Sequence, residues 1–272
     1  MYNGKEYTVD KFTEDGDYYV FKFMDVAPHL MSKGIYATLY GTKAGTVYES
    51  YESVYSIKQY CHNILDNTTA EQSELRTLLV DMLNYGAASQ VYKAQADSTF
   101  TYKEKEVINK DLTAEQQTFG TSTTPTVSAD AQNLKYATVN NPSVKWKSGN
   151  LYLSNAVILL FTIETTDVEN ITVKATFNGR TWAVNPDNII ATETENRYYV
   201  YVTGIKAYEM RETVLLTVYN GETAVSNTIS YSIEAYAAGK MNNTTDETVD
   251  AQLIAMMRYG DSAKAYAQTL AQ

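Results

Sequence analysis

The sequence contains very little of what catalytic, metal-binding or disulfide-stabilised proteins use. Cys61 is the only cysteine, and His29 and His62 are the only histidines. A single cysteine forms no intrachain disulfide, and two distant histidines without a cysteine or carboxylate at ligand spacing do not build a zinc site. The sequence also has no glycine-rich phosphate loop, nucleophile elbow or cofactor fingerprint. We predict a protein that is not an enzyme, with no catalytic residue, no metal and no cofactor.

Basic residues and long apolar stretches are scarce as well. The formal net charge is −10 and the sequence pI is about 4.8. A nucleic-acid binder needs a cationic face that displaces counterions from phosphates, so we exclude nucleic acid as a partner. No apolar run approaches the length that spans a bilayer, so we predict no membrane insertion. Neutral molecules, cations and other proteins are the partners that remain.

The sequence does have a long internal repeat. A Tyr-Ser-Ile motif begins at Tyr55 and again 176 positions later at Tyr231, and an Asn-Thr-Thr motif recurs with the same spacing at Asn67 and Asn243. In both copies the apolar residues around these motifs recur at the spacing of one helix face. The repeat predicts two short amphipathic helices in each copy. Cys61 lies on the apolar face of the first of them, which predicts a small buried core residue.

The repeat also predicts the ends of helices and the turns between strands. The segments 68–71 and 244–247 both have the Thr-x-x-Glu form of a capping box, which satisfies backbone donors of a first helical turn. Asn3-Gly4 and Asn178-Gly179 predict hairpin turns, because both residue types tolerate positive backbone dihedrals. Segments rich in aromatic and β-branched residues follow each hairpin and predict strands.

These patterns predict a mixed, β-rich fold with two related β-sandwich-like units, each followed by an antiparallel helical hairpin. We place the first unit at 1–96, a connector at 97–142 and the second unit at 143–272. Strand-like sequence precedes the Asn-Gly turn in the second copy only, so the first unit lacks strands by comparison. We expect the sequence to be an excerpt of a longer chain; the alternative is a naturally truncated unit that borrows a strand edge.

The candidate ligand-binding residues are aromatic side chains with polar neighbours. Tyrosine is abundant, with 24 Tyr against 7 Phe, and it combines contact area with a hydroxyl in a way that suits sugars or proteins. Trp182 follows the second Asn-Gly turn, and Tyr7 is its counterpart in the first copy. An aromatic at one place in both copies is equally explained by a shared core position, and Trp146 is buried if its flanking lysines face solvent. The predicted ligand-binding residues are Trp182, Trp146, Tyr7, Arg180 and Asn178.

The helical motifs resemble a known bacterial module. The Tyr-Ser-Ile helix, the Asn-Thr-Thr break and residues 82–90, Met-Leu-Asn-Tyr-Gly-Ala-Ala-Ser-Gln, are similar to a module repeated in large secreted and surface proteins of gut and rumen Firmicutes, including relatives of Ruminococcus. Arg258 and Asp261 depart from that pattern in the second copy. The resemblance implies β-sandwiches with helical hairpins that occur beside dockerins, glycoside hydrolases and polysaccharide-adherence proteins. It also implies an extracellular location on a Gram-positive cell surface, with other modules of a larger surface protein as partners.

Two functions follow from the residues and the resemblance together. The first is a non-catalytic extracellular polysaccharide-binding module that helps a gut bacterium adhere to insoluble substrate, with starch-type α-glucan as the first ligand and plant cell-wall glucan as the second. The alternative is a structural spacer or protein-interaction module with no ligand of its own. A solvent-facing Trp182 favours the first function, and a buried Trp182 favours the second.

Overall fold

The computed structural model describes residues 1–24, 26–67, 72–100, 102, 106–127, 134–153 and 156–271. It shows a mixed α/β protein that is rich in β-sheet, which confirms the mixed, β-rich part of the predicted fold class. The chain divides into two compact units, Met1–Ser122 and Thr123–Gln272. Within the described ranges, every helix is too short or too polar to cross a membrane.

The strands of the first unit form three small antiparallel sheets. They are β1 (Phe12–Asp15), β2 (Tyr18–Phe21), β3 (Ile35–Ala37), β4 (Tyr40–Lys43), β5 (Thr46–Glu49) and β6 (Ser53–Tyr55). β1 pairs with β2, β3 with β6, and β4 with β5. Asn3 and Gly4 have φ values of 46° and 73°, so the predicted turn is confirmed, and it brings Tyr2 opposite Lys5. Tyr2 also pairs with Ile35 at the edge of β3.

The helices of the first unit enclose its core. They are α1 (Ile57–Asn67), α2 (Ser73–Ala96) and the short α3 (Ala114–Gln117). Cys61 is fully buried between them, which confirms its predicted place in the core. Ile108 and Leu112, which belong to the predicted connector, are buried in the same cluster. The core residues of this cluster are Met31, Cys61, Leu65, Leu79, Val80, Leu83, Ala87, Ile108 and Leu112.

Residues 106–121 are fastened to α2 by buried polar side chains. The Gln90 amide donates to the Glu106 carbonyl at 3.1 Å and accepts from the Ile108 N–H at 3.0 Å. The Asp81 carboxylate accepts from the Thr121 N–H at 2.9 Å and from its hydroxyl at 2.8 Å. These bonds satisfy the polar groups that the segment brings against the helix, so the segment completes the core.

The second unit contains two larger antiparallel sheets. Its strands are β7 (Leu134–Ala137), β8 (Lys145–Leu153), β9 (Val157–Glu164), β10 (Thr172–Phe177), β11 (Arg180–Ala183), β12 (Ile189–Ala191), β13 (Arg197–Val202), β14 (Val214–Asn220), β15 (Thr223–Ala224) and β16 (Thr228–Tyr231). One sheet has the strand order β11-β10-β14-β16-β7, with β15 paired to β14, and the other has the order β12-β13-β9-β8.

The two sheets share an apolar layer formed by alternate residues. Along β9 and β10 every second side chain is buried, as expected for strands with one face in a core. The Phe161 ring of β9 meets the Tyr231 ring of β16 edge-to-face at 5.7 Å, and the Tyr231 hydroxyl donates to the Gly149 carbonyl of β8. A Cβ on Gly149 would stand 3.3 Å from both rings, so glycine permits this close approach.

Two helices end the second unit, α4 (Ile233–Met241) and α5 (Glu247–Thr269). The predicted capping residue of α5 is wrong, because the cap is Asp246, whose carboxylate accepts from the N–H groups of Thr248 and Val249. The Thr244 hydroxyl instead accepts from the Asp246 N–H at 3.1 Å. An aspartate one position before the helix is an equally good cap and lies closer to the donors. The matching segment 68–71 of the first copy lies outside the described residues.

The internal repeat extends to the strand registers. Ile35 pairs with Tyr55 in the first unit, as Val214 pairs with Tyr231 in the second. The β1–β2 pair corresponds in the same way to β12–β13, with Val20 in the place of Val200. The Asn178-Gly179 turn has positive φ values of 47° and 73°, which match those of its counterpart to within one degree.

Each unit also has a 3-10 turn that packs on its long helix. The turns are Pro28–Leu30 and Ala207–Glu209. The Met31 carbonyl accepts from the Lys58 N–H at the start of α1, and the Met210 carbonyl accepts from the Glu234 N–H at the start of α4. The turn in each unit therefore fixes where the first helix begins.

Candidate functional site

Trp146 links the two sheets of the second unit. Its indole Nε1 donates to the Asn227 carbonyl, just before β16, at 2.8 Å. Its ring meets Phe161 edge-to-face at 5.8 Å. The side chain is only half-buried, but both its polar atom and its ring have partners inside the unit. This geometry favours the core interpretation of Trp146 over the stacking one.

Trp182 lies on β11, the last strand of its sheet. It pairs with Ala175, which is fully buried, and it lies two residues before the buried Val184. Its ring therefore lies on the inward face of the sheet, at the margin. The side chain is half-buried, so its exposure favours neither ligand binding nor a core position.

Arg180 and Asn178 meet at one buried carboxylate. Glu209, in the 3-10 turn, lies 3.4 Å from the Arg180 guanidinium and 3.4 Å from the Asn178 side-chain amide. The same carboxylate accepts from the Lys206 N–H at 3.0 Å. These bonds connect the Asn-Gly turn to the 3-10 turn. They occupy donor groups of Arg180 and Asn178 that could otherwise bind a sugar hydroxyl.

Tyr7 is the most accessible of the three predicted aromatic ligand-binding residues. It is 43% exposed and meets Phe23 edge-to-face at 5.0 Å. An open groove of about 430 Å³ adjoins it in the first unit. The apolar residues lining this groove are Tyr7, Val9, Phe12, Val20, Phe23 and Met24.

The four predicted residues of the second unit do not form one site. Arg180 and Asn178 come together at Glu209, and Trp182 lies on the strand that follows their turn. Trp146 belongs to the other sheet, and Tyr7 belongs to the first unit. Glu209 could not be found from the sequence, because the two side chains that donate to it lie 29 and 31 positions away.

A second polar cluster that sequence reasoning missed surrounds Arg211. Its guanidinium donates to both Asp261 oxygens, at 2.5 and 2.7 Å, and to Glu234 at 2.6 Å. Hydrogen bonding to Asp261 is the largest cause of the raised pKa of Arg211. Arg211 also donates to the Thr126 carbonyl at 2.8 Å, and Arg258 donates to the Thr123 carbonyl at 3.0 Å.

Arg258 and Asp261 depart from the repeat pattern, and these departures were what could have indicated the cluster from the sequence alone. Both residues belong to α5. Arg258 binds the Thr123 carbonyl directly, whereas Asp261 binds Arg211, which in turn binds the Thr126 carbonyl. The cluster is closed, because each cation has a carboxylate or carbonyl partner within the unit. Its arrangement is that of a structural ion-pair network.

Exposed apolar side chains concentrate in the first unit. Among the described residues, all the large apolar side chains that are exposed lie there except Tyr152, Ile190, Tyr199 and Leu270. Val20 on β2 is 36% exposed, whereas Val200, its counterpart on β13, is fully buried. Leu39, two residues after β3, is 56% exposed, whereas its counterpart Val218 is fully buried. We call Val20, Tyr36, Ala37 and Leu39, with the outer edges of β2 and β3, the open face.

The strand pairing explains the open face. In the second unit the outer edge of β13 is paired with β9 along Arg197–Val202, and β14 is paired with β10 along Thr172–Thr176. In the described part of the first unit, β2 pairs with β1 alone, and the outer edge of β3 is met only by Met1 and Tyr2. The outer edge of β2 thus has no strand neighbour among the described residues, whereas the N–H and the carbonyl of Tyr36 on β3 are both bonded to Met1.

In the described ranges there is no group of three or more His, Cys, Asp or Glu residues that could hold a metal ion. No family model, no curated protein and no solved structure matches this chain.

Proposed function

We propose that the chain is a pair of related non-catalytic modules from an extracellular bacterial surface protein, and that it acts by binding other proteins. Each module in this proposal is a β-sandwich-like unit closed by a helical hairpin. The equal strand registers in the two units support the duplication. The resemblance of the helical motifs to Firmicutes surface modules supports the location.

The observation that carries a protein-binding role is the open face of the first unit. It combines apolar side chains with the unpaired outer edge of β2, and a polypeptide satisfies both at once, whereas a sugar offers no matching backbone groups. The counterparts of Val20, Ala37 and Leu39 in the second unit, Val200, Leu216 and Val218, are fully buried. A folded unit that exposes such a face has a surface suited to association.

The positions shared by the two copies support a structural role for the helices. Gly86 and Gly260 both face the carbonyl of a 3-10 turn. The serines of both Tyr-Ser-Ile motifs accept a backbone N–H of the following helix, from Gln59 and from Ala235. Any binding surface therefore lies on the strands.

Polysaccharide binding is a second candidate, and the groove beside Tyr7 favours it. An exposed tyrosine next to apolar residues can stack on a pyranose ring. Starch-type α-glucan is the first ligand to try and plant cell-wall glucan the second. Neither tryptophan is needed in this form of the proposal, since both lie on inward faces of their sheets.

One experiment decides between the candidates. The full chain is run through gels that contain soluble starch, β-glucan or xylan, and is also mixed with the fluorescent dye anilinonaphthalene sulfonate, which reports accessible apolar surface. We expect no retardation by any polysaccharide, and dye fluorescence that falls in Val20→Lys and Leu39→Lys. Ile190→Lys, at an exposed apolar position of the second unit, is the matched control and should leave the signal unchanged. Retardation that Tyr7→Ala abolishes would replace the proposal by polysaccharide binding. Dye fluorescence that is indifferent to the open-face variants would overturn it.

A further inference from the structure

The 3-10 turn Pro28–Leu30 is a junction of the first unit. Its first carbonyl oxygen lies against α2, where a Cβ on Gly86 would stand 3.2 Å from it. Its last carbonyl accepts from the Tyr2 hydroxyl at 3.3 Å, and the Met31 carbonyl that follows it fixes the start of α1. The turn therefore connects the N-terminal segment, α1 and α2, so a change in its packing reaches all three.

His29 occupies the middle of this turn. Its ring is half-buried and meets the Phe100 ring edge-to-face at 5.2 Å. Lys93 of α2 places a positive charge near the ring. The second unit has Tyr208 at the corresponding position, and its hydroxyl accepts from the Lys206 ammonium at 2.8 Å. The imidazole is thus a property of the turn in the first unit alone.

The carboxylate of α2 that lies closest to Lys93 in the structure is already bonded. One oxygen of Asp97 is 2.6 Å from the Lys93 ammonium, and the other accepts from the Thr99 hydroxyl, also at 2.6 Å. The Thr99 N–H donates to that second oxygen as well. Because both Asp97 oxygens have partners, a protonated His29 would have to compete for this carboxylate.

Among the described residues, Lys93 is the charged group that acts on the imidazole. Burial is the first cause of the lowered pKa of His29, and the Lys93 charge is the second. The N-terminal segment brings the Tyr2 phenol to the turn, and burial raises the pKa of that phenol to about 12, so it is uncharged in mild acid. Asp25 and residues 103–105 lie outside the described residues.

We propose that His29 is a pH-sensitive switch, which holds the Pro28–Leu30 turn on α2 when the imidazole is neutral and releases the turn when the imidazole is protonated. A protonated ring places a charge in a partly dry contact and near Lys93, and moving the turn away from α2 relieves both costs. Because the turn fixes the start of α1, its release loosens the first unit. The second unit lacks the imidazole and does not respond in this way. The switch is independent of what the chain binds.

The direction of the pKa shift gives the pH range. The folded state binds the proton less readily than the unfolded state, in which a histidine titrates near its ordinary value of 6.5. The stabilising contribution of neutral His29 is therefore complete above that value. It is lost as the pH falls from there through the lower pKa of the folded state.

The test is urea unfolding of the full chain at a series of pH values from about 7.5 to about 5. Reaction of Cys61 with a pyridyl disulfide, which attacks thiols even in mild acid, follows the first unit, and tryptophan fluorescence follows the second. Over this range we expect the unfolding equilibrium constant of the first unit to rise at least about threefold more in the parent chain than in His29→Tyr, which has the residue of the second unit. Lys93→Gln removes the like charge and should also reduce the rise.

Proton NMR of the histidine rings tests the switch without relying on a variant of His29. We expect the His29 ring, assigned by comparison with His62→Gln, to titrate at a lower pH in the folded chain than in urea. Equal midpoints would overturn the inference. So would an equal pH response of the parent chain and His29→Tyr, because protonation would then leave the turn in place. A response that persists in His29→Tyr and disappears in His62→Gln would assign it to the other histidine and overturn the inference as well.

Discussion

The carbonyl oxygen of Pro28 lies so close to Gly86 that a Cβ on the glycine would stand 3.2 Å from it. The carbonyl of Ala207 has the same relationship to Gly260, again at 3.2 Å. In both units the glycine lets a 3-10 turn approach a long helix more closely than a side chain allows. Glycine at these two corresponding positions is thus a packing requirement.

Gly86→Ala and Gly260→Ala should each destabilise their own unit. The backbone carbonyl cannot move away without shifting the turn, so we expect a loss of about 1–3 kcal/mol in the free energy of unfolding despite the better helix propensity of alanine. Urea unfolding can follow the units separately, through the reactivity of Cys61 for the first and tryptophan fluorescence for the second. Gly239→Ala is the control: no atom lies within 4 Å of its Cβ, so it should stabilise α4 by about 0.5–1 kcal/mol. Equal effects of all three changes would contradict this account.

Arg211→Lys should weaken the second unit. Lysine cannot bind both Asp261 oxygens and Glu234 in the fork geometry that arginine uses, so we expect a loss of about 1–3 kcal/mol, read from tryptophan fluorescence in urea. Arg197, which donates to Glu164 at 3.2 Å on a more exposed surface, is the comparison. Arg197→Lys should cost less than about 1 kcal/mol. The prediction fails if the two substitutions cost the same.

Trp146→Phe should destabilise the second unit more than Trp182→Phe does. The first change removes the donor to the Asn227 carbonyl and part of the contact with Phe161, at an expected cost of about 1–3 kcal/mol. The second change retains an aromatic ring at the sheet margin and removes no hydrogen bond that links the two sheets. Thermal unfolding followed by circular dichroism measures both. A larger loss from Trp182→Phe would show that its ring carries contacts more important than those of Trp146.

Alkaline pH should destabilise the first unit through Cys61 and Tyr2. Burial raises the pKa of the Cys61 thiol from 9.0 to about 12 and the pKa of the Tyr2 phenol from 10.0 to about 12. The folded state holds these protons longer than the unfolded state, so the stabilising contribution is complete below pH 9 and is lost as the pH rises towards about 12. Alanine is the residue at the matching position 237, so it should fit in place of Cys61. In urea titrations across that pH range, Cys61→Ala should make the loss of stability with rising pH shallower. An unchanged pH dependence in this variant would mean that the thiol contributes nothing to it.

Local rules were enough to predict the turns and the helix faces. Asn3-Gly4 and Asn178-Gly179 adopt positive φ values, which these residue types favour in hairpin turns. Cys61 is buried because helical periodicity places it with its apolar neighbours. Non-local contacts could not be predicted. Glu209 receives the donors of a turn about thirty positions earlier, and Ile108 enters the core from a segment with no periodic pattern.

The candidate site shows the same division between local and non-local information. The residue type identified Trp146 and Trp182 as candidate ligand-binding residues. It could not predict which face of a sheet each ring occupies, because that depends on strands far away in the sequence. The repeat predicted that the first unit has fewer strands than the second, but it could not predict which side chains this leaves exposed. That Val20 and Leu39 are exposed while Val200 and Val218 are buried follows from the strand pairing.

The position of Tyr2 also sets the phase of any strand that extends along β3. Since side chains of a strand alternate in direction, a segment that continues from Tyr2 presents its apolar residues inward only if they fall at even distances from it. A strand whose register is offset by a single residue would turn the same side chains towards solvent. This one tyrosine therefore fixes the register of the strand that lies beside β3.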